Sequence, residues 1–392
     1  MPGMPATLVG ISLATVSEST LLPISSYARR LSSAAKLAAD AGVDLLLVSP
    51  GPDLEYLIGS RAQTFERLTV LAIAADPDSV PTVVVPQLEL ASLTGSAAGD
   101  LGLTLSSWVD GEDPYALALD AATANPVVAV SDSMQALHLV PIAERIGATP
   151  TLATDVLREL RMIKDDVEID ALRTAGAAID RVHARMGEFL RPGRTERAVA
   201  DDITAAIIAE GHTSAAFVIV GSGPHGADPH HEYSDRVIEA EDIVVIDIGG
   251  PIATGYNSDS TRTYCFAEPS AEIAAAVETL ERAQTAATEA VRPGVTASSI
   301  DTAARDLLAE AGLADAFIHR TGHGIGLSVH EEPYIVGGND VVLRPGMAFS
   351  IEPGIYFPGQ WGARIEDIVI VTDSGCEPVN VRPHGLTVLD GR

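Results

Sequence analysis

The sequence predicts two domains, a smaller α/β domain followed by a larger α+β domain. At 392 residues the chain is longer than one typical domain. Up to about residue 150, helical patterns alternate with short apolar runs, which is typical of an α/β domain. Farther on, long helices accompany strands in hairpin-like order, which indicates an α+β domain. We place the predicted domains at residues 1–155 and 156–392.

The elements of the first domain follow from its hydrophobic pattern. Residues 28–42 have apolar residues at helical spacing up to Gly42 and predict a helix. The short run VDLLLVS ends in the turn Pro50-Gly51-Pro52 and predicts a buried strand. Two more strands are predicted in LTVLAIAAD and PTVVVPQ, followed by an acidic helix-like segment and the strand NPVVAVSD.

The second domain begins in a segment of different character. Residues 151–190 are rich in charge and helix formers, and predict a connecting helix and then the first helix of the second domain. A helix in AVADDITAAIIAEG and a strand in AAFVIVGSG follow. After a polar loop, strands are predicted in DIVVIDIGG and DSTRTYCF, then two long helices and the polar stretch of residues 319–370.

The charge and cysteine content limit the partners and the compartment. Acidic residues number 54 against 25 basic residues, giving a net charge of −29. Nucleic acid and membrane are therefore not expected as partners, because both are recognised by basic patches. Cys265 and Cys376 form no CxxC pair and predict a reduced, cytoplasmic protein. The N-terminal residues lack a basic segment and an unbroken apolar run, so we expect neither a signal peptide nor a membrane span.

Two sequence features have simpler interpretations than catalysis. Lys36 and Lys164 are the two lysines, and both are in charged or Ala-rich helical patterns, which argues against lysine-based covalent chemistry. The segment GSGPHG fits the dinucleotide-binding pattern GxGxxG, but that fingerprint needs a helix directly after the glycines. Pro224 and the polar residues after it predict a loop in which no helix begins.

Residues 319–370 contain the densest group of side chains that can bind a metal or move a proton. His323, Glu352 and Glu366 lie in this stretch, and Asp247 and Asp259 are predicted upstream at facing strand ends. A carboxylate in an apolar strand needs a cation or hydrogen-bond donors if it is buried. Taken singly, each aspartate could be a turn or cap residue, and the histidine could bond a carbonyl. Together, four carboxylates and one imidazole suit Mn²⁺, Co²⁺, Fe²⁺ or Zn²⁺, and favour two metals over one.

The contexts of these residues carry a family resemblance. The motifs DIG, SDxTRT, GHGIGLxxHE, SIEPGIY and RIED resemble those of the pita-bread metallopeptidases, which include proline dipeptidases, aminopeptidase P and methionine aminopeptidase. The match spans about residues 160–380, and the preceding domain resembles the creatinase-type N-terminal domain of the proline-specific members. The resemblance therefore implies a pita-bread α+β catalytic domain preceded by a creatinase-like α/β domain. It favours the proline-specific branch.

The resemblance also implies a ligand set for two metal ions, with Mn²⁺ preferred and Co²⁺, Zn²⁺ or Fe²⁺ as alternatives. By position, Asp247 would bind one metal, His323 with Glu352 the other, and Asp259 with Glu366 would bridge them. A hydroxide between the two cations would then be the nucleophile. Glu352 would also act as general base or proton shuttle.

The remaining site residues come from the same resemblance. His230 and His330 match two histidines that contact substrate and stabilise the tetrahedral intermediate, as an oxyanion donor does. The neighbouring His231 is an alternative to His230, which is chosen because it directly follows proline. Arg364 and Tyr356 are expected near the substrate.

The resulting prediction is a metallopeptidase that cleaves Xaa-Pro bonds, and a homodimer is expected by analogy. A proline dipeptidase (prolidase) is preferred over an Xaa-Pro aminopeptidase, although no residue identifiable in the sequence separates the two. A creatinase-like carbon–nitrogen hydrolase working without metal is the alternative from another enzyme class. A binding protein that has lost catalysis is a further alternative. The complete ligand set argues against both of these.

Overall fold

The computed structural model describes residues 21–390, and the chain divides into two compact units, Met1–Leu160 and Arg161–Arg392. The expectation that the N-terminus forms neither a signal peptide nor a membrane span concerns residues outside the described range. Among residues 21–390, no helix combines the length and apolar character needed to cross a bilayer. The cytoplasmic location stays a prediction.

The first unit is an α/β domain built on one six-stranded mixed sheet. Its elements are α1 (Ile24–Asp40), β1 (Leu45–Val48), α2 (Pro52–Ile58), β2 (Val70–Ala74), β3 (Thr82–Pro86), β4 (Thr104–Trp108), α3 (Pro114–Ala118), β5 (Val128–Val130), α4 (Ala136–Ile146) and β6 (Thr151–Leu152). The strand order is β4-β3-β2-β1-β5-β6, and β1 pairs antiparallel with β2 and parallel with β5. The predicted strands are present, whereas β4 was missed because it is an edge strand with polar side chains.

The second unit contains the long helices and hairpin-like strands that the sequence predicts. After α5 (Thr154–Met162), its elements are α6 (Asp166–Ala184), α7 (Met186–Phe189), α8 (Glu196–Ala209), β7 (Phe217–Ser222), β8 (Val244–Pro251), β9 (Asn257–Cys265), α9 (Ala271–Ala290), α10 (Ala297–Glu310), β10 (Gly322–Gly324), β11 (Glu331–Ile335), β12 (Ala348–Ile351), β13 (Gly354–Phe357), β14 (Trp361–Arg364), β15 (Asp367–Val371), β16 (Cys376–Pro378) and β17 (Thr387–Val388). Within the described part of this unit, up to residue 390, the strands form three sheets, with orders β17-β9-β8-β7, β11-β10-β12-β15-β16 and β13-β14.

Side-chain caps determine where the long helices of this unit begin. Asp165 and Glu168 form a reciprocal capping box at the start of α6. Thr195, Ser270 and Thr296 cap α8, α9 and α10 by accepting a hydrogen bond from a backbone N–H of the first turn. Each cap satisfies a donor that the helix itself leaves unpaired, so the helix starts agree with the local sequence.

Strand alternation separates the apolar core from the polar residues of the second unit. On β8, Val244, Ile246 and Ile248 belong to one apolar cluster with residues of α6 and α8. On β12, Phe349 and Ile351 belong to a second cluster with residues of α9 and α10. Because successive side chains on a strand point to opposite faces, the intervening polar residues lie on the faces turned away from these helices.

Three predictions about local structure were wrong. Asp247 is the fourth residue of β8, in the interior of the strand and not at its end. Lys164 lies between α5 and α6, outside any helix, and its side chain is buried. A five-residue 3₁₀ helix, Gly223–Ala227, does begin at the GSGPHG segment. The α-helix required for dinucleotide binding is nevertheless absent between β7 and β8.

Candidate metal centre

Asp247 and Asp259 are diagonal neighbours on one face of the β8–β9 hairpin. In the register of the hairpin, Asp247 is opposite Thr261, and Asp259 is opposite Gly249. Residues directly opposite each other share a face, and so do residues two apart on one strand. Both aspartates therefore point away from the helix-packed core, and both are buried.

His323 extends from β10 toward the same carboxylates. Its Nδ1 is 3.1 Å from the carbonyl oxygen of Gly324, to which an N–H at that position would donate. With that tautomer, Nε2 carries a lone pair, and it lies 3.2 Å from Glu352 Oε1 and 3.7 Å from Asp259 Oδ2. Burial lowers the pKa of His323 to about 3, with the charge of His330 as a further cause. A neutral imidazole is the form that binds metal.

The two glutamates enter from the ends of neighbouring strands. Glu352 directly follows β12, and Ser350 donates a hydrogen bond of 3.0 Å to its Oε1. Glu366 directly precedes β15, and Thr261 Oγ1 donates a hydrogen bond of 2.7 Å to its Oε2. Asp259, His323 and Glu366 each offer a ligand atom, and these three atoms lie within 4.8 Å of one another.

Three carboxylate oxygens of this cluster have no hydrogen-bond partner among residues 21–390. They are Asp247 Oδ1, Asp259 Oδ1 and Glu366 Oε1, and all three are buried. A buried carboxylate oxygen without a donor or a cation is costly, because it has lost its water without replacement. The donor set of hard oxygens and one imidazole nitrogen therefore fits divalent cations.

The protein alone does not stabilise the ionised forms of Asp259, Glu366 and Glu352. Burial raises the pKa of Asp259 well above its ordinary value, and the charges of Asp247 and Glu352 raise it further. Burial and the charge of Asp259 do the same to the pKa of Glu366. Burial raises the pKa of Glu352 to about 7. Bound cations would reverse these shifts, because they favour the charged carboxylates.

Arg364 and Tyr356 lie in a buried hydrogen-bond network that ends on Asp247. Arg364 Nη2 donates to Asp247 Oδ2 over 2.7 Å, and its Nη1 donates to Tyr356 Oη over 2.8 Å. The same hydroxyl is 2.8 Å from His319 Nε2, to which it donates when His319 carries its proton on Nδ1. This network holds one oxygen of Asp247 and leaves the other without a partner.

A second network lies behind Glu366 and includes its neighbour Asp367. Arg262 donates 2.7 Å hydrogen bonds to the Glu366 carbonyl oxygen and to Asp367 Oδ1. His384 Nε2 contacts the other oxygen of Asp367. Because Arg262 is a residue of β9, this ion pair ties the strand of Asp259 to the segment of Glu366.

The three histidines singled out near the substrate differ in their surroundings. His330 packs edge-on against His323, with ring centroids 4.1 Å apart. His231 Nε2 lies 2.9 Å from Glu196 Oε2, so this ring is turned to a buried carboxylate. His230 is exposed, and its charge is among the causes that lower the pKa of His330, after burial and Arg320.

Four residues that the sequence analysis did not single out are also important. Glu196, His225, Arg320 and Glu331 make the contacts described below. The histidines between residues 225 and 231 are a visible signal in the sequence, but Glu196 looks like any other glutamate at the start of a helix.

Glu331, next to His330, forms ion pairs with two cations. It binds Lys164 Nζ at 2.7 Å and Arg161 Nη2 at 2.5 Å. Burial raises the pKa of Glu331, but these two cations outweigh it and leave that pKa low.

Two protein-family models match two successive parts of the chain. The model of metallopeptidase family M24 matches residues 170–373, and that of the creatinase/prolidase N-terminal domain matches residues 30–163. The probable dipeptidase PepE of Mycobacterium tuberculosis (strain ATCC 25618 / H37Rv) is 65% identical over 364 residues, covering 93% of this chain and 96% of that protein. The Xaa-Pro dipeptidase of Lactobacillus delbrueckii subsp. lactis is 35% identical over 363 residues, covering 89% and 95%.

A solved structure gives the same result for the fold. The crystal structure of dipeptidase PepE from Mycobacterium ulcerans is 62% identical, with a TM-score of 0.91, and the match covers 94% of this chain and 99% of that chain. The predicted fold class and the prediction of a metallopeptidase are thereby confirmed. The chain belongs to metallopeptidase family M24, and joins a creatinase/prolidase N-terminal domain to a pita-bread catalytic domain.

Proposed function

We propose that this metallopeptidase hydrolyses the Xaa-Pro bond of dipeptides. The observation that carries the proposal is the group of buried carboxylate oxygens without hydrogen-bond partners beside the Nε2 atom of His323. The names of two relatives, a probable dipeptidase and an Xaa-Pro dipeptidase, support the choice of substrate. An Xaa-Pro aminopeptidase that accepts longer peptides is the alternative.

The proposed ligands are those that the resemblance implies, namely Asp247, Asp259, His323, Glu352 and Glu366. They would hold two divalent cations, preferably Mn²⁺, with Co²⁺, Zn²⁺ or Fe²⁺ as alternatives. Such a pair lowers the pKa of bound water and polarises a carbonyl group. Arg364 would position Asp247 by occupying one of its oxygens, and Tyr356 would position Arg364.

Glu352 is the proposed proton carrier of the reaction. It would accept a proton from the attacking water as the water oxygen bonds to the scissile carbon. It would then deliver a proton to the proline nitrogen as the carbon–nitrogen bond breaks. A carboxylate can serve in both transfers, because it can accept a proton and then release it.

His330 and His230 are the proposed donors to the substrate carbonyl and its tetrahedral form. The His330 ring packs against that of His323, a proposed metal ligand, and His330 is itself exposed. His230 is close enough for its charge to act on both His330 and His319, although burial dominates the lowered pKas of those two rings. Preorganised donors of this kind stabilise charge that develops in the transition state.

Arg320 supports a dipeptide over a longer substrate. Its guanidinium stacks on the Tyr334 ring at 4.5 Å, and none of the ion pairs found within residues 21–390 includes it. Burial dominates the pKa shifts of His323, His330 and Glu352, and the charge of Arg320 contributes to all three. A cation so close to the reacting groups can bind the carboxylate that a dipeptide carries on its proline.

Replacing Arg320 with glutamine should raise KM for Ala-Pro by about 10- to 100-fold, the loss expected for one charge-assisted hydrogen bond. The measurement is a steady-state assay with saturating Mn²⁺ on Ala-Pro, Ala-Pro-NH₂ and Ala-Pro-Ala. Ala-Pro-NH₂ lacks the carboxylate, so its turnover should change little. The exposed Arg292 provides the matched control Arg292→Gln.

The same assay separates the two activities. Cleavage of Ala-Pro without cleavage of the tripeptide Ala-Pro-Ala supports the proposed dipeptidase. Faster cleavage of Ala-Pro-Ala than of Ala-Pro by the wild-type enzyme would replace it with the aminopeptidase. If Arg320→Gln lowers activity on all three substrates by the same factor, Arg320 does not recognise the carboxylate of the dipeptide.

The protein is further proposed to be a homodimer, built partly through the N-terminal domain. Multi-angle light scattering at assay concentrations should therefore give about twice the 40.8 kDa of one chain. The proposal depends on family analogy, and a mass equal to one chain would reject it.

A further inference from the structure

Glu196 is a buried carboxylate outside the proposed metal centre. It is the first residue of α8, and its side chain is 0% exposed. Its Oε1 accepts hydrogen bonds from Ser222 N, Ser222 Oγ and His225 Nδ1 at 2.9, 2.7 and 3.0 Å. Its Oε2 accepts from His231 Nε2, Ser234 N and Ser234 Oγ at 2.9, 2.9 and 2.7 Å.

The environment of Glu196 differs from that of the metal centre. Glu196, His225 and His231 have the composition of a metal site, with ligand atoms within 4.8 Å. Neither oxygen of Glu196, however, is among the buried atoms of residues 21–390 that lack a partner. Burial raises the pKa of Glu196, but its serine and histidine donors prevail and lower that pKa to about 2. A charged carboxylate with every lone pair in use serves as a hydrogen-bonded anchor.

Within residues 21–390, all donors to the Glu196 carboxylate come from one segment, residues 222–234, which we name the histidine loop. Ser222 ends β7 at the base of this loop, and the rings of His225 and His231 are 4.2 Å apart within it. The loop also lies against β14, because a Cβ added to Gly362 would be 2.0 Å from the Gly226 carbonyl oxygen. Backbone approach this close requires glycine and leaves the loop little freedom to shift.

His230 belongs to the histidine loop, but its side chain does not bond the Glu196 carboxylate. The backbone N–H groups of His230 and His231 both bond Asp228, at 3.1 Å to Oδ1 and to the carbonyl oxygen respectively. The side chain of His231 goes to Glu196, whereas that of His230 is exposed. Residue 226 of the loop packs on the strand that ends at Arg364, so the loop borders the metal centre.

We propose that Glu196 is a positioning residue that orients His230 toward the substrate by holding His231 and the two serines of the histidine loop. This inference rests on the proposed function, in which His230 contacts the substrate. Glu196 itself touches no reacting atom. Removing the His231 contact should therefore reduce activity through His230 and leave the metal centre unchanged.

The test is a double-mutant cycle on kcat/KM for Ala-Pro with saturating Mn²⁺. His231→Leu and Glu196→Gln should each lower kcat/KM about tenfold in the wild-type background, and by less than about twofold when His230 is already alanine. His231→Gln should retain most of the activity, because a glutamine amide can still donate to Glu196. Metal content and Tm are measured on every variant.

Glu210 provides the matched control for Glu196→Gln. It caps the other end of α8 and pairs with Arg181 at the surface, so Glu210→Gln should leave kcat/KM unchanged. An equal loss from Glu210→Gln and Glu196→Gln would overturn the proposal in favour of a general effect on the helix.

The remaining outcomes separate this inference from the proposed function. If His230→Ala lowers kcat/KM but His231→Leu lowers it by the same factor in both backgrounds, the positioning role is rejected and the proposed function stands. If His230→Ala has no effect, the substrate role of His230 fails, and the inference fails with it. The loss of one metal equivalent in Glu196→Gln would identify Glu196, His225 and His231 as a metal site. That result would also overturn the positioning role of Glu196.

Discussion

Glu352→Gln should lower kcat by about 10²- to 10⁴-fold while leaving the fold intact. Glutamine has the shape of glutamate and can still accept the hydrogen bond from Ser350, but it cannot take up a proton. The wild-type carboxylate, by contrast, can take up a proton from the attacking water and release it again. The loss should therefore appear in kcat on every Xaa-Pro substrate.

The measurement must separate proton transfer from metal loading, because Glu352 is also a proposed metal ligand. Turnover is measured over a range of Mn²⁺ concentrations, and bound metal is determined by elemental analysis. The exposed Glu310 on α10 gives the control Glu310→Gln, for which no change is expected. Near-normal turnover of fully loaded Glu352→Gln would remove Glu352 from the proton-carrying role.

Removing the metal should abolish activity and make stability depend on pH in a defined direction. In the metal-free protein, burial and then the charges of nearby carboxylates raise the pKas of Asp259 and Glu366 well above their ordinary values, and burial raises the pKa of Glu352 to about 7. A carboxyl with a higher pKa in the folded than in the unfolded state stabilises the fold below its unfolded pKa of about 4. That contribution is lost as pH rises through the folded pKa, so the metal-free protein loses stability from about pH 4 to 7.

Bound cations should cancel this loss, because they favour the ionised carboxylates. Calorimetry at pH 5 and pH 8 should show a larger Tm difference between Mn²⁺-loaded and chelator-treated protein at the higher pH. Mn²⁺ or Co²⁺ should also restore activity after chelation. Full activity of exhaustively metal-depleted protein would refute the proposed mechanism, and a Tm difference independent of pH would contradict the pKa argument.

The metal-ligand candidates illustrate what local sequence can predict. On β8 and β12, alternate residues are apolar and share the face that packs on the core. Asp247 lies on the opposite face of β8, and Glu352 directly follows β12. A charged residue within such an apolar run is visible without coordinates, because burial makes it costly. The exact position of Asp247 in its strand was missed, since strand ends are only weakly marked in sequence.

The supporting residues could not be predicted in this way, because their partners are distant in the chain. Lys164 and Glu331 are separated by 167 residues, and Arg262 and Asp367 by 105. Each residue considered alone is an ordinary charged side chain, and exposure to solvent would be its default state. Folding buries both partners at one place, where they form an ion pair that connects two distant segments of the backbone.

The sequence alone determined the two-domain organisation, the fold class and the family, because hydrophobic periodicity and short motifs are local properties of the chain. The tertiary structure decided which oxygens lack partners, and it separated His231, held by Glu196, from the exposed His230. In the sequence, His230 is preferred because it follows proline, and this does not reveal what either side chain contacts. The contacts differ because folding brings the buried carboxylate of α8 to His231, 35 residues away along the chain.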